Sequence, residues 1–105
     1  MTDYIQAITT TDTKENAVEI ANSLIRHRHA ACVQIVGPIQ STYWWKEEIE
    51  TAAEWLCIIK TRRDHFEHVE ATIRRIHTYE VPEIIATPII EGNEGYLAWL
   101  DKALQ

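Results

Sequence analysis

The sequence predicts an α+β domain of ferredoxin-like topology, a split βαβ arrangement (βαββαβ plus a C-terminal helix) built on an antiparallel sheet. Three observations carry this prediction. Short runs of β-branched and aromatic residues alternate with runs whose apolar residues recur every three or four positions. The order of these runs is strand, helix, strand, strand, helix, strand, helix. The two central strands follow one another across a tight turn and so form one long hairpin. With 105 residues, 46% apolar and 25% charged, the chain is one domain, 1–105, able to bury a single modest core.

The elements follow in order. Tyr4 to Thr11 (YIQAITTT) is short and β-branched, a strand. Asp12 with Glu15 three positions on is a helix-start pattern, and Ala17, Ile20, Ala21, Leu24 and Ile25 then make one apolar stripe. ACVQIV, Gly37-Pro38 and IQSTYWW read as one long strand bent at the Gly-Pro. Lys46 to Glu48 forms the turn, and TAAEWLCIIKT returns as far as Thr61. Asp64 and Glu67 repeat the capping pattern ahead of a second stripe, Phe66, Val69, Ile73 and Ile76. Pro82 forbids helix and biases Val81 to extended backbone, launching IIATPII as the last strand. Asn93 caps a terminal helix with Tyr96, Leu97, Leu100, Ala103 and Leu104 on one side. Right-handed crossovers put the first two helices on the same face of the sheet.

The sheet is apolar on both faces. In EWLCIIKT, Trp55, Cys57 and Ile59 point one way while Leu56 and Ile58 point the other. A strand covered on one side only alternates apolar with polar. Two helices cover one face and a short third helix covers only part of the other, so a homo-oligomer is expected to bury the rest. Tyr43, Trp44 and Trp45 near the hairpin tip extend past a compact four-stranded core and invite pairing with another copy.

Sixteen acidic against ten basic side chains give a net charge of −6, which repels a phosphate backbone, and no RNA-binding aromatic string is present; no nucleic-acid partner is expected. No apolar run approaches the roughly 20 residues a membrane span needs, and the N-terminus lacks a signal-peptide pattern. Cys32 and Cys57 sit far apart in apolar strands, which fits a reducing cytoplasm. No nucleophile motif or phosphate-binding glycine loop appears, so an enzyme is not expected.

The segments AACVQIVGPIQSTYWW, CIIKT, and HTYEVPEIIATPI followed by GYLAWL together give a more specific reading. From about Ile8 to Leu104 the chain resembles the CutA family, the divalent-cation tolerance proteins. The resemblance implies a ferredoxin-like subunit in a compact homotrimer with long hairpins exchanging edge contacts, similar in architecture to PII-type signalling proteins. It implies a role in copper or other divalent-metal response, with Cu2+ or another divalent cation bound weakly. Where the family usually has a glycine at the hairpin tip, this chain has Lys46-Glu47-Glu48, so its tip is expected to turn differently. Where some members carry a cysteine ligand and paired histidines, this chain has Thr9, Ile76 and His77, of which only His77 can ligate.

His77, beside Tyr79, Glu80 and Glu83, is therefore the metal-ligand candidate, with partners expected from another subunit. The competing reading is a histidine that hydrogen-bonds a carbonyl at its helix end. Tyr79 and Glu83, with Trp99 of the last helix, are expected to line a cleft for an ion or small ligand near a subunit boundary, and Lys60 at a strand end is a candidate anion contact. His27 and His29 in RHRHA read as charge answering a helix dipole, and His65 and His68 as solvated surface.

Overall fold

The computed structural model describes residues 3–105, so the first two positions of the expected domain lie outside it. β1 (Tyr4–Thr11) leads into α1 (Lys14–Arg26); β2 (Cys32–Trp45) and β3 (Glu48–Arg62) form the hairpin. A single 3-10 turn (Arg63–His65) opens α2 (Phe66–Ile76), followed by β4 (Ile85–Pro88) and α3 (Glu94–Ala103). The sheet order is β2-β3-β1-β4 with every neighbour antiparallel, the ferredoxin-like order.

The alternation within β1 explains the layering. Ile5, Ala7, Thr9 and Thr11 are buried on the helix side, and β3 answers with Cys57, Ile59 and Thr61. The stripes of α1 and α2 close this face: Ala17, Ile20, Leu24, Val69 and Ile73 are fully buried against Ala7 and Ile59. Burying each large aliphatic side chain contributes about 1.5–3 kcal/mol. The opposite face is only partly covered. There α3 places Leu100 in the interior and is tied down by Asp101, which accepts from the Tyr4 hydroxyl (2.7 Å) and from Arg62 (2.6 Å). Those two donors hold the Asp101 carboxyl below its ordinary range.

Several local expectations are corrected. Thr13, not Asp12, caps α1 by accepting the Asn16 amide N–H at 3.1 Å; Asp12 instead accepts the Thr78 hydroxyl. Asp64 lies in the 3-10 turn and takes Arg62 as its partner, leaving α2 without a side-chain cap. Asn93 holds the cap position of α3 without a side-chain bond. The last strand is only four residues, Ile85–Pro88, inside the expected run from Ile84 to Ile90, although the Ile89 N–H still donates to the Tyr4 carbonyl at 2.9 Å just beyond it. β3 begins at Glu48, three residues before the expected start, since the ladder continues to Trp45↔Glu48. The hairpin tip is also corrected. Lys46 (φ 50°) and Glu47 (φ 67°) both adopt the left-handed conformation, so the chain makes a two-residue primed turn without glycine.

The Gly37-Pro38 bend is a bulge, where the register shifts between Val36 and Ile39. Its glycine is required by a close approach: a Cβ there would sit 2.8 Å from Cγ of Trp55. Cys32 pairs with Lys60 and Cys57 with Ile35, three steps apart, so the thiols stay separate and free. Burial pushes the Cys57 thiol up to about 11.

Candidate functional site

The segment between α2 and β4 faces the hairpin arm. Between them lies a cleft of about 720 Å³, lined by Thr10, Tyr43, Trp45, Glu54, Tyr79 and Glu83 among others. Its floor is an acid. Glu54, in the middle of an apolar strand, is only 5% exposed, and the Tyr79 hydroxyl donates to its Oε2 at 2.5 Å. Burial, followed by the bond to this carboxylate, pushes the Tyr79 phenol well above its ordinary pKa, so it stays protonated and keeps donating.

His77 organises this corner. Its backbone N–H closes α2 on the Ile73 carbonyl (2.7 Å). Its Nδ1 can only accept from the Tyr79 amide N–H (3.0 Å), which fixes the proton on Nε2 and makes that nitrogen the donor to the Thr10 carbonyl (2.7 Å). The imidazole thus ties the end of β1 to the end of α2 and sets Tyr79 over Glu54, with the His77 and Tyr79 rings 4.7 Å apart.

Both nitrogens being engaged, His77 offers no lone pair to an ion in this arrangement. Thr9 is fully buried on the helix side with its hydroxyl unpartnered, so it offers no ligand to the cleft. Among the described residues no three His, Cys, Asp or Glu side chains converge as a ready metal site. The residues do not fit a tight, preformed copper centre. What the cleft offers is carboxylate oxygen, from buried Glu54 and exposed Glu80 and Glu83.

The family model described as CutA1 divalent ion tolerance protein matches residues 5–103. The chain belongs to that family. A rice (Oryza sativa subsp. japonica) relative named "Protein CutA 1, chloroplastic" is 44% identical over 90% of this chain and 53% of its own length. The "Divalent-cation tolerance protein CutA" of Thermus thermophilus is 42% identical over 87% of this chain and 88% of its own. The chain thus spans about half of the plant relative and most of the bacterial one. The crystal structure of CutA1 from Oryza sativa superposes with a TM-score of 0.95 at 40% identity, covering 99% of this chain and 95% of that one. The ferredoxin-like fold is therefore the CutA1 fold, and the bacterial relative is named as a divalent-cation tolerance protein.

Within this CutA-family subunit the expected site residues divide between two places. His77, Tyr79 and Glu83 meet at the cleft. Trp99 does not join them: its ring packs tilted against Tyr96 in α3, 5.5 Å between centroids. Lys60 lies over the same Tyr96 ring, 5.9 Å from its centroid, on the sheet face that α3 covers. Glu54 was not singled out from the sequence, although an acid between Ala53 and Trp55 in an otherwise apolar strand is the signal of a buried charge that needs a partner.

Proposed function

We propose that this CutA-family chain acts as a homotrimer in the cellular response to divalent cations, and that the Glu54–Tyr79 cleft is where a cation or a small cationic ligand is met, weakly. The supporting observation is Glu54 itself. A carboxylate withdrawn from water and held by one phenol keeps unused acceptor capacity facing a concave, acidic and aromatic surface. Oxygen donors suit divalent ions, while Tyr43 and Trp45 suit an organic cation. His77 serves as the positioning residue for Tyr79. The family name and the copper association implied by the resemblance support Cu2+ as the first ion to try, and the two thiols left free support a cytoplasmic setting. The trimer rests on the bare arm and the half-covered sheet face, and a PII-like signalling role rests on that trimer.

Isothermal titration with Cu(II) and Zn(II) tests the cleft. Heat is expected for the wild type and is expected to fall in His77→Ala and Glu83→Gln. No heat for the wild type, or the same heat in both variants, rejects the cleft as the cation site. A second reading, a trimeric interaction scaffold, is favoured by the commitment of both His77 nitrogens. Capture of a stoichiometric partner that chelator does not release would select it. A stable, folded lone subunit in dilute solution scattering would remove the trimer from both.

A further inference from the structure

Four of the chain's five histidines gather at the other end of α2, away from the cleft. His27 ends α1, His29 lies in the turn entering β2, and His65 and His68 belong to the 3-10 turn and the first turn of α2. The packing of α1 beside α2 brings them together. The His29 and His68 rings are 4.9 Å apart at their centroids and 7° from parallel; His27 stands 5.9 Å from His29, and His65 stands 6.3 Å from His68.

We propose that His29 and His68, with His27 and His65 beside them, form a second cation site: a histidine-only site for a borderline divalent transition ion, Cu(II) or Zn(II). It is independent of the cleft reading, because it shares no residue with it.

The distances have the right scale. With a metal–nitrogen bond of about 2.1 Å and cis angles between square-planar and tetrahedral, two imidazoles on one ion place their centroids about 4.5–5.2 Å apart. The 4.9 Å separation of His29 and His68 lies inside that range. The rings now face each other, so binding turns them about χ2, a soft torsion for histidine. His68 and His27 are exposed and free to make that turn. The donor atoms are also prepared. His27 Nδ1 donates to the Ser23 carbonyl at 2.9 Å, which leaves the lone pair on Nε2, as a backbone carbonyl does behind many metal-bound histidines. His65 Nδ1 is buried with no partner in the protein, an orphan that a coordinated ion or its water would satisfy.

The charge environment favours the ligating form. Burial first, then His68, His27, His65 and Arg75, lower the pKa of His29, which keeps its imidazole neutral. Arg26, Arg28 and Arg75 flank the group, and two of them are turned to other acceptors, Arg28 to the Ala103 carbonyl and Arg75 to Ser23 Oγ. These cations oppose a bound ion, and since no three donors converge beforehand among the described residues, the ion must gather its ligands. The site is accordingly weaker than a structural zinc centre. Nitrogen-only donors select Cu(II) over Zn(II) by the usual order of stability and exclude Mg(II) and Ca(II), which take oxygen.

The test titrates the full chain with Cu(II) at neutral pH and reads electron paramagnetic resonance for nitrogen splitting from bound imidazoles, alongside affinity. The wild type is expected to show at least two equatorial nitrogens. The double variant His29→Gln/His68→Gln is expected to lose them and bind at least about tenfold more weakly, while Glu83→Gln keeps the nitrogen signal unchanged. His68→Gln alone, at an exposed position, provides the reading if the double variant does not fold. Wild-type copper without imidazole nitrogen, or His68→Gln with unaltered signal and affinity, overturns the site. Loss of heat in Glu83→Gln with the nitrogen signal intact separates the cleft from this cluster.

Discussion

The lower and upper halves of the hairpin differ more than any other two regions of the subunit. Near its base, Cys57, Ile59 and Thr61 of β3 are completely buried between β1 and the two helices. Past the Gly37-Pro38 bulge the same two strands leave the body, and Trp44 is 71% and Ile49 63% exposed. The subunit is correspondingly elongated, 44 × 26 × 22 Å. The backbone ladder runs without interruption from the bulge to Trp45↔Glu48, so the arm is well formed as a hairpin. What it lacks is a layer to bury its side chains. A two-stranded ribbon is marginal in water when it stands alone. The arm is regular in backbone and bare in side chains, whereas the helix-covered face of the body is closed.

The comparison breaks if the body does not dominate stability. Ile73→Ala, at the centre of the α2 stripe, empties a fully buried site and is expected to destabilise the subunit by roughly 2–5 kcal/mol. Urea unfolding at fixed protein concentration measures it, because assembly would otherwise shift the midpoint. A loss below about 1 kcal/mol would mean that the body is not the closed core described here. Trp44→Ala should act the other way. It removes little from the folded subunit but is expected to weaken self-association by roughly 2 kcal/mol, as loss of a large aromatic anchor does. Analytical ultracentrifugation over a dilution series, with circular dichroism as a control for folding, separates these effects. Unchanged association would leave the arm's aromatics without a partner.

The same contrast marks what the sequence made legible. The body could be read because burial writes a period into the chain: the stripes of α1 and α2 and the alternation of β1 lie where the spacing places them. The bend at Gly37-Pro38 was legible because glycine and proline carry backbone meaning. The cap at Thr13 was missed because Asp12 is by residue type the better cap, and its carboxylate is taken up by the Thr78 hydroxyl, a contact that no local pattern records. The site was half legible. HTYEVPE marked the corner, but pairing of Tyr79 with Glu54 spans 25 residues and depends on where the last crossover lands on the sheet. The histidine cluster is less readable still, for His29 and His68 meet only through helix packing. No local pattern records that contact.

At its tip the arm carries a conformation its residues do not favour, which gives a smaller and opposite effect. Lys46 and Glu47 hold positive φ, where a Cβ costs roughly 1–2 kcal/mol per residue. Glu47→Gly removes that cost at one of the two positions and admits more freedom in the unfolded chain, leaving a net gain of about 0.5–1 kcal/mol. A raised urea midpoint with unchanged self-association is the expected result. A lowered midpoint would mean that the glutamate side chain itself supports the turn.

The least effect, and the sharpest in its pH window, belongs to the body's histidines. The folded pKa of His29 lies below its ordinary value of 6.5, through burial and then through His68, His27, His65 and Arg75. Well above pH 6.5 neither folded nor unfolded His29 carries a proton, and the group contributes nothing. As pH falls through 6.5 the unfolded chain takes up the proton first, so stability declines, and the decline ends once pH passes below the depressed folded value. Asp101 works in a separate window: its carboxyl is held below 3.8 by Tyr4 and Arg62, so the stability it gives persists until more acid pH. A wild-type loss between neutral pH and pH near 5 that His29→Gln reduces would therefore belong to the imidazole cluster alone. If the two proteins lose stability in parallel over that window, the close approach of His29 and His68 carries no electrostatic cost, and α1 and α2 are held at this end by their apolar stripes only.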